Sequence, residues 1–126
     1  MPKHVPDLAN AAAPIGPYSV ATEANGFVFV SGQVALDPAT GDRVGGGVAA
    51  EANRVMENVG AVLGDVGLGY SDIVKTTIFL ADMGDFPVVN EVYAGFFEEA
   101  PPARSTIQAG ALPAGFLVEI EVVAAR

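Results

Sequence analysis

The strongest strand signal of this chain lies in Phe27-Val28-Phe29-Val30-Ser31-Gly32-Gln33-Val34, directly after the hairpin turn Ala24-Asn25-Gly26. Successive side chains of a strand point to opposite faces of its sheet, so the two phenylalanines share one face and the first two valines share the other. Both faces of the strand are therefore apolar at its start. We expect both faces of the sheet to be covered.

The rest of the sequence supplies two helices and four further extended segments. Apolar residues at intervals of three and four predict a helix over residues 48–66. A second helix follows Asp85, has Pro87 in its first turn and stops at Ala100-Pro101-Pro102. Extended segments are predicted at residues 18–21, 73–80, 104–109 and 117–124.

This order of elements indicates a single α+β domain over residues 1–126, with a mostly antiparallel sheet and a hairpin at each end of it. Two helices can cover only one face of such a sheet. The chain has no element left for the second apolar face. We therefore predict a homo-oligomer in which other subunits cover that face.

The composition argues against several classes of protein. Fifteen acidic and six basic residues give a net charge of −9, which repels a phosphate backbone and disfavours nucleic acid as a partner. The sequence contains no run of about 18 apolar residues, which a membrane-spanning helix would need. The chain has no cysteine and its first residues lack the apolar run of a secretory signal, so the cytoplasm is the expected location.

Of the six basic residues, only Arg104 and Lys75 lie where solvent exposure is not the default expectation, and Arg104 is the candidate for binding an anion. It follows the rigid pair Pro101-Pro102 at the start of a predicted strand, which leaves its backbone little freedom to lose. A guanidinium binds a carboxylate through two parallel hydrogen bonds. Two other roles stay open at this point: an edge-strand arginine that discourages aggregation, or an arginine paired with a structural acid.

Two glutamates alternate with apolar residues in the last predicted strand. Strict alternation places Glu119 and Glu121 on one face, so both carboxylates can reach the same cleft. If Arg104 lies on the neighbouring antiparallel strand, Glu119 stands close to it and can orient or deprotonate a water molecule. The alternative is a pair of solvated outer-face glutamates, which the spacing alone favours.

Two further features do not predict a binding site. Gly45-Gly46-Gly47 precedes a helix but lacks the Lys-Ser/Thr pair and the glycine spacing of a nucleotide loop. His4 is the single histidine, and one imidazole without cysteines or clustered acids cannot form a usual metal site. We predict no metal.

Four separated segments together resemble the reactive-intermediate deaminase (RidA) family. In chain order they are Ile15-Gly16-Pro17-Tyr18-Ser19, Phe29-Val30-Ser31-Gly32-Gln33, Pro102-Ala103-Arg104-Ser105-Thr106, and Leu112-Pro113 followed by Val118-Glu119-Ile120-Glu121. The resemblance extends from about residue 13 to residue 126. It favours a functional Arg104 over a structural one.

The resemblance implies a chorismate-mutase-like α+β fold and a homotrimer with active sites between subunits. Family members hydrolyse 2-imino acids, such as 2-iminopropanoate, which are tautomers of enamines, to 2-keto acids and ammonia without a cofactor. By similarity Arg104 binds the substrate carboxylate and Glu119 positions the attacking water. The residues that line the pocket by the same similarity are Tyr18, Ser31, Gly32, Asn90 and Thr106.

At one position the sequence departs from the family pattern. Thr106 stands where many members carry cysteine. The family reaction needs no thiolate, and a hydroxyl can still form a hydrogen bond, but the subgroup of the family to which the chain belongs stays open.

Two functions other than a deaminase remain open. One is a non-catalytic, chaperone-like or metabolite-sensing trimer, which would not need Glu119. The other is an endoribonuclease, which the net charge of −9 disfavours.

Overall fold

The structure, a computed structural model, describes residues 3–126. Met1 and Pro2, which the predicted domain includes, lie outside this range. Within it the chain forms a five-stranded sheet and two α-helices. The strands are β1 (Ala21–Ala24), β2 (Phe27–Gln33), β3 (Ile73–Leu80), β4 (Ala103–Gln108) and β5 (Val118–Ala125), and the helices are α1 (Val48–Asp65) and α2 (Phe86–Ala94).

The strand order across the sheet is β1-β2-β5-β3-β4. Neighbouring strands are antiparallel except β3 and β4, which run parallel and are connected by α2, because a parallel pair requires a crossover. The predicted hairpin between β4 and β5 is therefore wrong. The segment 109–117 carries the chain past β3, so that β5 lies between β2 and β3.

The hairpin between β1 and β2 is confirmed. Its two turn residues, Asn25 and Gly26, have positive φ angles of 52° and 82°. A two-residue turn of this kind needs left-handed backbone at both positions, which asparagine and glycine tolerate best. This local signal is sufficient to place the first two strands side by side, as the register from Ala21 opposite Val30 to Ala24 opposite Phe27 shows.

One face of the sheet packs against both helices. Val28 and Val30 of β2 are 0% and 3% exposed, and the alternate residues of β5 from Val118 to Ala124 are buried with them. α1 adds its apolar stripe to this core, and α2 packs on α1. The predicted α+β class, with both helices on one face, is confirmed.

The opposite face of the sheet carries exposed apolar side chains. Phe27 and Phe29 of β2 are 43% and 45% exposed, and Ile107 of the edge strand β4 is 47% exposed. No helix within the described range covers these residues. This is the face for which the sequence predicted cover from other subunits.

The ends of two elements differ from their predictions. α2 ends at Ala94, well before Pro101, because Gly95 follows and glycine is a poor helix former. Phe96 lies beyond the helix and packs against the ring of Tyr70, with 5.2 Å between the ring centroids. Residues 18–20 form a loop rather than a strand, and β1 begins after them.

The start of α2 is also capped differently from the prediction. Asp85 occupies the position before the helix, but its side chain makes no capping hydrogen bond. The carboxylate of Asp82 instead accepts a hydrogen bond from the Gly84 N–H at 2.8 Å in the short turn ahead of it.

Of the helices formed by residues 3–126, none combines the length and the apolar character needed to cross a bilayer.

Candidate functional site

Arg104 lies on the edge strand β4, and its side chain points to the helix face of the sheet. β4 pairs with β3 so that Arg104 is opposite Thr76, which is buried on that face. The Arg104 Nη1 donates a hydrogen bond to Oδ1 of Asn90 at 2.8 Å. Its Cζ lies 5.4 Å from the ring centroid of Phe86 and 5.2 Å from that of Tyr93. Three side chains of α2 thus hold an exposed guanidinium in place.

Arg104 makes no ion pair with another residue of the range 3–126. The ion pairs found there join Arg54 to Glu57 and Arg126 to Glu23. The interpretation of Arg104 as the partner of a structural acid is therefore wrong for this part of the chain. Its place on an edge strand is compatible with a role against aggregation, and its contacts with α2 leave its charge unpaired among the described residues.

Tyr93, beneath Arg104, is fixed by a buried hydrogen bond. Its Oη lies 2.7 Å from Oγ1 of Thr76, and the two residues are 4% and 0% exposed. Burial raises the pKa of the Tyr93 phenol, and the hydrogen bond to Thr76 and the positive charge of Arg104 act in the opposite direction. The phenol is therefore neutral at physiological pH.

Thr106 shares the helix face with Arg104, two residues further along β4. Its Oγ1 is buried and has no hydrogen-bond partner among the described residues. Buried hydroxyl groups in folded proteins normally have one. Thr106 thus places an unsatisfied hydroxyl on the same face of β4 as Arg104.

A second set of predicted residues lines a cleft of about 480 Å³ between the loop before β1, the end of β2 and the start of β5. Its polar residues are Tyr18, Ser31, Gln33, Asn58, Glu119 and Glu121, and Gly32 lies among them. The Oγ of Ser31 donates a hydrogen bond to the carbonyl oxygen of Ser19 at 2.7 Å, which attaches the loop to β2. Apolar side chains, including Ile15 and Phe116, complete the wall.

The carboxylate of Glu119 rests directly on the backbone of Gly32. A Cβ atom at position 32 would lie 2.0 Å from Oε2 of Glu119, so that glycine is needed for the carboxylate to occupy this place. Burial raises the pKa of Glu119, and the negative charge of Glu121 raises it further. A carboxyl group with a raised pKa exchanges its proton closer to neutral pH than an ordinary glutamate does.

Arg104 and Glu119 do not meet within one chain. β3 lies between β4 and β5, which separates the two strands by two spacings of about 4.8 Å. Arg104 points to the helix face, whereas Glu119 alternates with the buried Val118 and Ile120 and points to the opposite face. The expectation that the two residues lie on neighbouring antiparallel strands is wrong, because the crossover through α2 places β4 beyond β3.

The two features set aside in the sequence have no part in either group. Gly46 and Gly47 lead into α1 with φ angles of 114° and 97°. His4 pairs with Glu23 through backbone hydrogen bonds beside β1. Within the range 3–126, no three histidine, aspartate or glutamate side chains gather as they would to hold a metal ion.

Three residues around Arg104 are not among those predicted from the sequence: Phe86, Tyr93 and Thr76. The signal for the first two is their spacing from Asn90. Residues 86, 90 and 93 are four and three positions apart, which places them on one face of a helix. An asparagine between two aromatic residues at this spacing indicates a surface that can hold a guanidinium, but aromatic residues of a helix are more often assigned to the core.

Similar proteins are known over nearly the whole chain. The family model described as Endoribonuclease L-PSP matches residues 8–126. The chain is 55% identical over 112 residues to Protein DfrA of Myxococcus xanthus, covering 87% of this chain and 86% of that protein. It is 44% identical over 124 residues to the 2-iminobutanoate/2-iminopropanoate deaminase of Mus musculus, covering 98% of this chain and 92% of that protein. The crystal structure of YyfA from Yersinia pestis, described as a protein of unknown function of the conserved Rid family, superposes with a TM-score of 0.94 at 43% identity, covering 99% of this chain and 100% of that one.

Proposed function

We propose a deaminase function for this chain, which belongs to the Endoribonuclease L-PSP family, also called the RidA family. The substrates are reactive 2-imino acids, such as 2-iminopropanoate, and their enamine tautomers. The products are 2-keto acids and ammonia. The relative of Mus musculus that carries the name 2-iminobutanoate/2-iminopropanoate deaminase supports this proposal, since the two chains are 44% identical over 124 residues.

The single observation that carries the proposal is that the guanidinium of Arg104 has no ion-pair partner among the described residues and is held by neutral side chains. The chain has 15 acidic residues and six basic ones, yet Arg104 contacts an amide and two aromatic rings instead of a carboxylate of the described residues. The Oδ1 of Asn90 accepts a hydrogen bond from one N–H group of the guanidinium, and the remaining N–H groups suffice for two parallel bonds to a substrate carboxylate.

We place the active site between two copies of the chain. Arg104 and Glu119 lie on opposite faces of the sheet, so one small substrate cannot contact both in a single copy. Arg104, Asn90 and Thr106 would come from one subunit, and Tyr18, Ser31, Gly32 and Glu119 from its neighbour. The exposed phenylalanines of β2 support this arrangement. A homotrimer is the assembly that we propose.

In the proposed reaction, water adds to the C=N carbon of the protonated imine and ammonia leaves. Arg104 holds the substrate carboxylate, while Glu119 orients the water and takes one of its protons as the C–O bond forms. Glu119 returns this proton to the nitrogen of the tetrahedral adduct. The C–N bond then breaks and ammonia departs, while the hydroxyl group gives its proton to the Glu119 carboxylate as the carbonyl of the 2-keto acid forms, and Glu119 releases this proton to solvent. The reaction needs no cofactor.

Two other functions have less support. A trimer that only binds or senses metabolites needs the cation of Arg104, but not the partly buried carboxyl group of Glu119 with its raised pKa. An endoribonuclease, the activity in the family's description, must bind a polyanion, which a net charge of −9 opposes. We further propose a cytoplasmic location, since the chain has no cysteine with which to form disulfides.

A coupled assay tests the proposal. A dehydratase that acts on serine generates 2-iminopropanoate, and the loss of the imine is followed with and without this protein. Arg104→Ala is expected to lower kcat/KM by about a hundredfold or more, because an acidic protein then has no cation for the carboxylate. Arg54→Ala, which removes the arginine paired with Glu57 on α1, is the matched control. Wild-type activity in Arg104→Ala would refute the proposal, and binding of pyruvate without turnover would favour a sensor.

A further inference from the structure

Tyr93 contacts a hydroxyl, an aromatic ring and a guanidinium on three of its sides. The Tyr93 Oη forms a hydrogen bond of 2.7 Å with Oγ1 of Thr76, and the centroid of the Phe97 ring lies 4.9 Å from that of the Tyr93 ring. On the remaining side the Cζ of Arg104 lies 5.2 Å from the ring centroid. A ring fixed in this way presents its electron-rich face to a cation in one orientation.

We propose that Tyr93, locked by Thr76, is a positioning residue that sets the orientation of the Arg104 guanidinium for an incoming carboxylate. This inference rests on the proposed function, because it assigns Tyr93 a part in binding the substrate through Arg104. Tyr93 touches neither the reacting carbon nor the water. Tyr93 restricts the orientations of the guanidinium in the free protein, so that fewer are lost when the substrate binds.

The physical basis is the combination of a cation–π contact with a directional hydrogen bond. A guanidinium within about 6 Å of a ring centroid is attracted to the ring without being neutralised, so its charge remains available to an anion. The hydrogen bond to Asn90 fixes one edge of the guanidinium plane, and the ring of Phe86 limits it on another side. A pre-ordered binding group loses less side-chain entropy when the ligand arrives.

The Tyr93 and Thr76 hydroxyls have a matched control in the same molecule. The hydroxyl of Tyr70 donates a hydrogen bond to the carbonyl oxygen of Met56 at 2.8 Å, and its ring also packs against neighbouring rings. Tyr70→Phe therefore removes a comparable hydrogen bond without affecting Arg104. A difference between the two phenylalanine variants separates positioning of Arg104 from a general loss of stability.

The first measurement is the ¹⁵N–¹H resonance of the Arg104 side-chain Nε in the assembled protein. We expect the ring current of Tyr93 to shift it, Tyr93→Leu to abolish that shift, and Tyr93→Phe and Thr76→Val to broaden or move it. Tyr70→Phe is expected to leave it unchanged. This readout does not depend on enzymatic activity, so the inference can be judged even if the deaminase proposal fails. An unchanged Arg104 resonance in folded Tyr93→Leu would overturn it.

The second measurement separates binding from chemistry. Tyr93→Leu is expected to raise KM for 2-iminopropanoate, and Kd for pyruvate in calorimetry, by about three- to tenfold, with kcat within about twofold of wild type. Thr76→Val is expected to give a smaller change in the same direction. If Tyr93→Leu does not fold, Tyr93→Phe and Thr76→Val provide the test. Folded Thr76→Val and Tyr93→Phe with wild-type KM, pyruvate affinity and Arg104 resonance would overturn the inference.

Discussion

The two faces of the sheet present their charged residues in opposite ways. On the helix face Arg104 stands exposed at the edge strand and is held by the side chains of α2. On the other face Glu119 is partly buried near the middle of the sheet, with its carboxylate against Gly32. A cation that captures an anion must be accessible to it, whereas burial raises the pKa of a carboxyl group, as it does chiefly for Glu119. One small domain provides both environments by using both faces, and the site we propose forms where the faces of two copies meet.

The largest expected effect comes from preventing the association of two copies of the chain through the uncovered face of the sheet. Phe29 is 45% exposed on the uncovered face, so Phe29→Asp places a charge there without disturbing the core of the single chain. We expect the assembly to dissociate into folded monomers and deaminase activity to disappear. Light scattering and circular dichroism measure the two properties separately.

The control for Phe29→Asp lies on the other side of the molecule. Val88 of α2 is 42% exposed, and Val88→Asp is expected to leave the oligomer intact. An oligomer of unchanged mass in Phe29→Asp would show that the open face is not the interface.

A smaller effect is expected from moving the Glu119 carboxylate within an intact assembly. Gly32→Ala introduces a Cβ that would lie 2.0 Å from Glu119 Oε2, so the carboxylate must shift. A displacement of about 1 Å in a catalytic group can cost about a hundredfold in rate, and we expect a fall in kcat of that order.

The matched control is Gly64→Ala in α1, where a Cβ would meet nothing within 4 Å. This variant is expected to be fully active and more stable by up to about 1 kcal/mol, because alanine favours a helix. Full activity in Gly32→Ala would show that the position of the Glu119 carboxylate is not critical.

The smallest effect concerns stability and its dependence on pH. The pKa of Glu119 is raised in the folded chain, chiefly by burial, so the folded state favours the protonated carboxyl group. The stability linked to this group is present below the unfolded pKa and is lost as the pH rises through the folded pKa. Glu119→Gln is therefore expected to unfold at a slightly higher temperature than wild type at pH 7, with the difference disappearing near pH 4. A difference that grows toward low pH would contradict the raised pKa.

The elements of the fold were predictable where their signals are local. The helix over residues 48–65 shows its period in a single stretch, the turn at Asn25 and Gly26 is set by two residues, and β3 has the predicted bounds. The order of β3, β4 and β5 is not a local property. Residues 109–117 could close a hairpin or step across β3, and nothing in that segment alone distinguishes the two.

The sequence names candidate site residues but does not give their geometry. The sequence blocks around Arg104 and Glu119 mark both residues, yet the face on which each lies depends on strand order and register. The same holds for Tyr93. Its spacing from Asn90 is visible in the sequence, but its contact with Thr76 requires β3 and α2 to be packed together.

Mixed oligomers of two variants measure whether the site is shared between chains. Arg104→Ala and Glu119→Gln are each expected to lose most activity on their own. When the two are unfolded and reassembled together in equal amounts, random mixing leaves both side chains intact at roughly one quarter of the sites between subunits. We predict that the mixture regains about that fraction of wild-type activity. A mixture that is no more active than its two parents would contradict a site built from Arg104 of one copy and Glu119 of the next.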